Sequence, residues 1–284
     1  MRQINTIAEE LEQIKTVNNI TSVFESIASM KIAKIKQQVL DSKEFFSELW
    51  DMYSNLDVRT EGIEMARRAQ ITKSKNLFVV ITAEGGFSGD IDRKLIDWML
   101  GHFDPATTDI MAIGNHGVTQ LKQNGVDVET VFDLPAEDND DMNLQPMMQQ
   151  IIQHPQTTVY YQTYVSLSVQ DVKRIELKNQ VDNLGQNQGG NEPITDRNYI
   201  FEPSEAAVVS HLESTMLSVA LAQVILESKL AQHASRFKAM TSAHDKAKET
   251  RDDLRTQFNR AKRAMADERS KEIINAMRLS EVSV

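Results

Sequence analysis

The chain has 284 residues, 31 basic and 41 acidic side chains, a net charge of −10 and no cysteine. This balance argues against general nucleic-acid affinity, and the missing thiols exclude a disulfide, a thiolate metal site and a thiol switch. The sequence reads as having no run of about eighteen apolar residues for a membrane span, and Glu9, Glu10 and Glu12 do not suit a signal or transit segment, so a soluble, cytoplasmic chain is expected.

Residues 1–61 contain neither glycine nor proline. Ile4, Ile7, Leu11, Ile14, Val17, Ile20, Phe24 and Ile27 step by three or four, close to the heptad pattern of a coiled-coil seam. Lys31 and Lys34 loosen the stripe, which resumes at Ile35, Val39, Phe46, Leu49, Tyr53 and Leu56. One long helix is predicted. All 11 glycines and all 6 prolines fall between Gly62 and Pro203, which marks residues 62–203 as a compact middle.

Within that middle, Asn76–Thr82 is a branched apolar run and predicts a buried strand. The turn EGGFSG (Glu84–Gly89) follows, then a helix near Asp90–Gly101. Strands are predicted at Asp109–Ile113, Asp127–Phe132 and Thr157–Val165, with helices near Val118–Asn124 and Asn143–Gln153 between them. Val172–Leu177 and Asn198–Phe201 suit later strands. The alternation predicts a Rossmann-like three-layer α/β domain with a mainly parallel sheet. Glu137–Asp141 reads as an acidic loop and Asn183–Glu192 as a polar one.

Residues 204–284 again lack glycine and proline. Ser204 and Glu205 form a helix start, a capping hydroxyl followed by a first-turn acid. Leu212, Met216, Val219, Leu226, Leu230, Phe237, Met240, Ala247, Leu254 and Phe258 lie along one stripe. A helix of this length spans about 120 Å at roughly 1.5 Å per residue, so part of it must project and its stripe needs the N-terminal helix beside it. The predicted domains are therefore 1–61, a coiled-coil helix; 62–203, the α/β domain; and 204–284, a second coiled-coil helix.

Chemistry is sparse. Glu84–Gly89 lies between a strand and a helix, but no GxxxxGK[ST] or GxGxxG pattern is present and no lysine follows, so it reads as a tight turn. The acidic loop lacks EF-hand spacing. His233 and His244 are eleven residues apart, about three turns along one helix, too far to share a metal. Ser88 has no GxSxG frame. From Lys246 to Arg263 there are seven basic and three acidic residues, which suits either a solvated helix face or docking to an acidic partner. No catalytic residue, cofactor site or metal site is predicted.

Three stretches resemble the gamma subunit of F-type ATP synthases. Tyr199–Ser204 (YIFEPS) and Leu226–Ala247 (LESKLAQHASRFKAMTSAHDKA) resemble the family runs F-EPS and LASE-AARM-AM. Asn19–Lys31 resembles KIT-AM-MVA--K. Thr82–Asp92 (TAEGGFSGDID) resembles TSDRGLCGGLN. The chain departs from these patterns at Asn19, Gln232, Gly85 and Ser88, and in a C-terminal tip, Ser270–Val284, that carries Lys271, Glu272, Arg278 and Glu281. The resemblance implies a long antiparallel coiled coil entering a hexamer of alpha and beta subunits, with the α/β domain against the epsilon subunit and the membrane ring of c subunits. It implies a non-catalytic rotor shaft, peripheral to the cytoplasmic face of the cell membrane and not inserted in it, with the ATP sites on alpha and beta. Ile20, Thr21, Lys31, Lys34, Arg236, Met240, Arg255 and Arg260 are the expected partner contacts. Of the basic ones, Lys31 and Arg236 lie on matching motifs and the others rest on charge. A rotor that only hydrolyses ATP and a non-rotary coiled-coil scaffold are the alternatives.

Overall fold

The computed structural model describes residues 4–54, 71–135, 143–177, 202 and 204–282. The predicted strand Asn198–Phe201 and the loops Glu137–Asp141 and Asn183–Glu192 lie outside them. The elements are α1 (Ile4–Ser54), β1 (Asn76–Ile81), α2 (Ile91–Leu100), β2 (Thr108–Ile113), α3 (Asn115–Gln123), β3 (Thr130–Phe132), α4 (Gln145–Ile152), β4 (Thr157–Tyr164), β5 (Gln170–Glu176) and α5 (Glu205–Val282). Ser204 caps α5: the backbone N–H of Ala207 donates to its Oγ at 3.3 Å.

The chain forms two compact units. One is Ala28–Phe237 and the other is Met1–Ile27 with Lys238–Val284. In the larger unit five strands form one sheet in the order β3-β2-β1-β4-β5. β1, β2, β3 and β4 run parallel and β5 pairs antiparallel to β4.

Side chains of β1 alternate between two cores, as the two-residue strand period requires. Leu77, Val79 and Ile81 join Met111, Ile113, Val159 and Tyr161 on one face. There they pack with Phe46 and Leu49 of α1, Met147 and Ile151 of α4, and Met216, Ala220, Leu221, Val224 and Ile225 of α5. Val80 joins Ile110 and Tyr160 on the other face, under Leu95, Ile96 and Met99 of α2 and Leu121 of α3. Both faces are covered, which is why β1 reads as an unbroken apolar run. The result is three layers, helix on sheet on helix.

One eighteen-residue window inside Ala207–Met277 does reach a mean hydropathy of 1.4, long and apolar enough to cross a membrane by composition. This corrects the sequence reading that no such run exists. The apolar residues of α5 from Met216 to Ile225 lie in the core of the larger unit, and a core helix passes the same test.

In the smaller unit α1 and α5 lie antiparallel. Glu25 accepts from the hydroxyl of Thr241 at 2.8 Å, and the backbone carbonyl of Asn18 accepts from Nδ1 of His244 at 3.4 Å, so partners fall in α1 as they rise in α5. Ile7, Met240, Ala247 and Leu254 of the predicted stripes are buried there, and so is Thr21, whereas Val17, Ile20 and Ile27 of the predicted seam are exposed.

Candidate functional site

A doubly wound sheet offers a ligand crevice outside the carboxyl ends of its strands, where the chain reverses its direction of winding. Here that point lies between β1 and β4. A segment of the chain's own helix α5, Glu227–Arg236, reaches the loop or strand end on both sides of it.

On the β4 side, Glu227 accepts a hydrogen bond from the hydroxyl of Thr163. Burial, reinforced by the Glu227 carboxylate, raises the pKa of the Tyr161 phenol above its ordinary range, so Tyr161 stays a hydrogen-bond donor toward that acid. Ser228 Oγ donates to Gln162 Oε1 at 2.5 Å, and Gln232 Nε2 donates to the same oxygen at 3.3 Å. Gln162 Nε2 donates in turn to Asp92 Oδ1 at 2.6 Å. Gln162 therefore joins α5, which packs on one face of the sheet, to α2, which packs on the other.

On the β1 side, Ser235 Oγ donates to the carbonyl of Ser88 at 2.6 Å. Arg236 donates through Nε to Gly86 O and through a terminal nitrogen to Gly85 O, both at 3.3 Å, while its other terminal nitrogen meets His233 Nδ1 at 3.1 Å. Gly89 holds φ +71, and Ser235 Oγ lies 3.6 Å from where its Cβ would stand. Phe87 holds φ 68, a left-handed conformation that is costly for a residue with a side chain. Lys229, 2% exposed, donates to the carbonyl of Pro135 beyond β3.

The rim around this dock is braced. Glu84, after β1, accepts from Asn115 Nδ2 at 2.8 Å after β2, and from the backbone N–H of Leu134 after β3. Thr82 Oγ1 donates to Gly114 O and accepts from Gly117 N, each at 3.0 Å. His116 Nδ1 donates to Asp92 Oδ2 at 2.6 Å. The polar side chains at the centre of the dock are deeply buried, with Gln162 and Ser228 at 0% exposure, Asp92 at 1% and Gln232 at 3%, while Glu84 and Asn115 on the rim are exposed. In such surroundings a satisfied network fixes one arrangement and a broken one is costly. The crevice is thus occupied by a helix locked in place. Hydrogen bonds on both flanks tie α5 to the sheet.

A second cluster lies at the opposite, amino-terminal edge of the strands. Potential ligand atoms of Asp109, Glu129 and His154 come within 4.8 Å of one another. Lys75 pairs with Asp109 at 3.1 Å, Lys73 pairs with Glu129, and Lys75 O accepts from His154 Nδ1 at 2.9 Å. Two ammonium groups already neutralise the two carboxylates, so this is an ion-pair seam joining the strand starts.

A family model described as ATP synthase matches residues 3–278. The ATP synthase gamma chains of Staphylococcus aureus strains JH9 and Newman are 25% identical over 288 residues, spanning 96% of this chain and 98% of their own. The chain belongs to the ATP synthase gamma family. Solved structures agree in fold. A chain of the Euglena gracilis mitochondrial ATP synthase OSCP/F1/c-ring assembly, 16% identical, superposes with TM-score 0.67 over 96% of this chain and 93% of its own. A chain of the rotor of that enzyme gives 0.62 over 93% and 98%. One from the Tetrahymena thermophila central stalk and c-ring gives 0.55 over 79% and 99%.

In this gamma-family chain the predicted contact residues have different fates. Arg236 lies on the turn carbonyls. Thr21 is buried and its hydroxyl donates to Val17 O at 2.9 Å and Asn18 O at 3.0 Å. Met240 is buried, Ile20 is 48% exposed, Lys31 is half-buried, and Lys34, Arg255 and Arg260 are exposed. The residues that build the dock besides Arg236 (Gln162, Asp92, His116, Ser228, Ser235) were not among the predicted contacts, although Asp92, Ser228 and Ser235 lie in the stretches that resemble the family. Gln162 itself had one signal, as a lone amide inside the strand run TTVYYQTYV.

Proposed function

We propose that this chain is the central-stalk rotor, the gamma subunit, of an F-type ATP synthase. It transmits torque between the membrane c-ring and the catalytic alpha/beta hexamer, so that ion flow is coupled to ATP synthesis or hydrolysis. The observation that carries this reading is the helix segment Glu227–Arg236 locked into the crevice of the α/β unit. A shaft helix without such a lock would turn independently of the domain that drives it. The antiparallel pair of α1 and α5, free of glycine and proline, supplies the stiff remainder of the shaft. In this reading residues 1–61 and 204–284 form the shaft and 62–203 the foot, the epsilon subunit joins the foot, and the ATP sites belong to alpha and beta. The chain is a peripheral part of the synthase, and we place it on the cytoplasmic face of the cell membrane. Ile20, Lys31, Lys34, Arg255 and Arg260 are proposed contacts with the hexamer, with Arg236 at the junction; Thr21 and Met240, buried within the chain, support that surface from beneath.

The test is co-purification from native membranes with a tagged copy of the chain. Recovery of an alpha/beta hexamer together with a c-ring, and ATPase activity sensitive to a blocker of the ring, is the expected result. A hexamer without a ring would point instead to a rotor that only hydrolyses ATP, and no hexamer would overturn the rotary reading. At the junction, Arg236→Glu sets a carboxylate against two carbonyls. It should weaken docking by about 2 kcal/mol, the scale of hydrogen bonds to a charged group. Proton pumping per ATP hydrolysed should fall in membrane vesicles, and an unchanged ratio would remove Arg236 from the coupling path.

A further inference from the structure

Gln162 has one carbonyl and one amide NH2, and both are fully buried. An amide facing polar groups on both sides has two nearly equivalent orientations, and its neighbours choose between them. Three donors converge on Asp92: His116 Nδ1 at 2.6 Å, Gln162 Nε2 at 2.6 Å and the backbone N–H of Ala83 at 3.4 Å. A carboxylate with three donors around it is an acceptor only. It forces the NH2 of Gln162 toward α2 and its carbonyl toward α5. There Ser228 and Gln232 both donate to that carbonyl, and Gln232 Nε2 also donates to Ser228 Oγ at 3.1 Å.

Asp92 and Gln232 occupy mirrored places about this amide. The acid lies on the α2 side of Gln162 and a neutral amide on the α5 side. We infer that Asp92 is the positioning residue of the torque junction: it sets the direction of the Gln162 amide and, through it, of every hydrogen bond from Ser228 and Gln232 to the sheet. The junction needs one buried acid beside Gln162, and here it lies on the α2 side.

The rule fixes the outcome of four chains. With Asp92 and Gln232 the amide is oriented toward α2. Asp92→Asn leaves no acid, and the amide loses its preferred direction. Gln232→Glu leaves two acids competing for one NH2, with a carboxylate opposed to the Gln162 carbonyl. The double variant has one acid again. The amide introduced on α2 then accepts from His116 and donates to the Gln162 carbonyl, while the Gln162 NH2 turns to the carboxylate introduced on α5.

The inference rests on the rotor reading, and the experiment separates the two. The assembled synthase is prepared in membrane vesicles with each of the four chains, and ATP-driven proton pumping is measured per ATP hydrolysed and per assembled complex. Failure of the unaltered chain to assemble with a hexamer and ring would refute the rotor reading itself. Given assembly, Asp92→Asn should lower the pumping ratio by about threefold or more and Gln232→Glu by more than that, while the double variant recovers most of the loss, the non-additivity expected of groups in one hydrogen-bond network. If a single variant assembles poorly, recovery of assembly in the double variant is read the same way. Full coupling in Asp92→Asn, or a double variant no better than the worse single one, would overturn the inference.

Discussion

Gly114→Ala is expected to destabilise the larger unit by about 3 kcal/mol or more, combining backbone strain with a steric clash. Gly114 holds φ +98, and a Cβ built on it would lie 2.1 Å from the carbonyl oxygen of Thr82 and 2.8 Å from its carbon. No rotamer relieves a contact between a Cβ and backbone. The backbone cannot yield easily either, because Thr82 N donates to Ile113 O and Gly114 N to Phe132 O, each at 2.8 Å. Moving either segment unpairs the carboxyl ends of three strands and loosens the rim that holds α5. Gly125→Ala is the control: it also has positive φ, +71, but nothing lies within 4 Å of its would-be Cβ, so only the left-handed penalty of about 1 kcal/mol applies. Urea denaturation of the purified chains, followed by fluorescence of Trp50 and Trp98, measures both. Equal losses at the two positions would mean that the Thr82 contact carries no weight.

Gln162→Leu is expected to cost a similar amount and to uncouple the rotor as well. The leucine is close in volume, so the loss is polar. Asp92 keeps His116 and Ala83 but loses its bond to the sheet's central amide, and Ser228 and Gln232 lose their shared acceptor. Removing one partner of a buried charge costs about 3 kcal/mol or more, and each abandoned hydroxyl or amide adds about 1 kcal/mol or more. Synthase assembled with this chain should keep hydrolysing ATP, because the catalytic sites lie on other subunits in the proposed assembly, while proton pumping falls steeply. A variant that melts at a lower urea concentration yet pumps at the original ratio would separate stability from torque transfer and leave Gln162 with a structural role only.

Most elements were legible because their residues answer to one local rule. β1 was predicted from Asn76 and spans Asn76–Ile81, since a strand covered on both faces is apolar on both, as Leu77–Ile81 are. The helix placed near Val118 begins instead at Asn115. The prediction started at the first apolar residue, whereas the helix also includes Gly117, where a Cβ would come within 2.4 Å of Thr82 Cγ2. That glycine is required by a neighbour 35 residues away, and no helix periodicity reports it. β3 is shorter than predicted, Thr130–Phe132 rather than from Asp127, and pairs with only the last three residues of β2.

The dock was less legible for a related reason. Its bonds join residues 70 apart for Asp92 with Gln162, and 150 apart for Arg236 with Gly86. A family-matching motif drew attention to Arg236 as a partner contact, while its guanidinium lies against the turn Glu84–Gly89. Ser228, Gln232 and Ser235 interrupt the apolar character of α5, but in sequence they resemble the polar side of any amphipathic helix.

The amino-acid sequence by itself determined two long helices, the alternation of strands and helices between them, and the family. Glycine and proline placement, apolar period and short motifs are properties of neighbours in the chain. Only the tertiary structure decided that the shaft helix occupies the crevice where a doubly wound sheet would otherwise hold a ligand, and that one glutamine joins both layers there. That arrangement depends on which strand ends meet at the reversal of winding and on burial that turns ordinary polar side chains into an interlocked network, and both exist only once the sheet has formed.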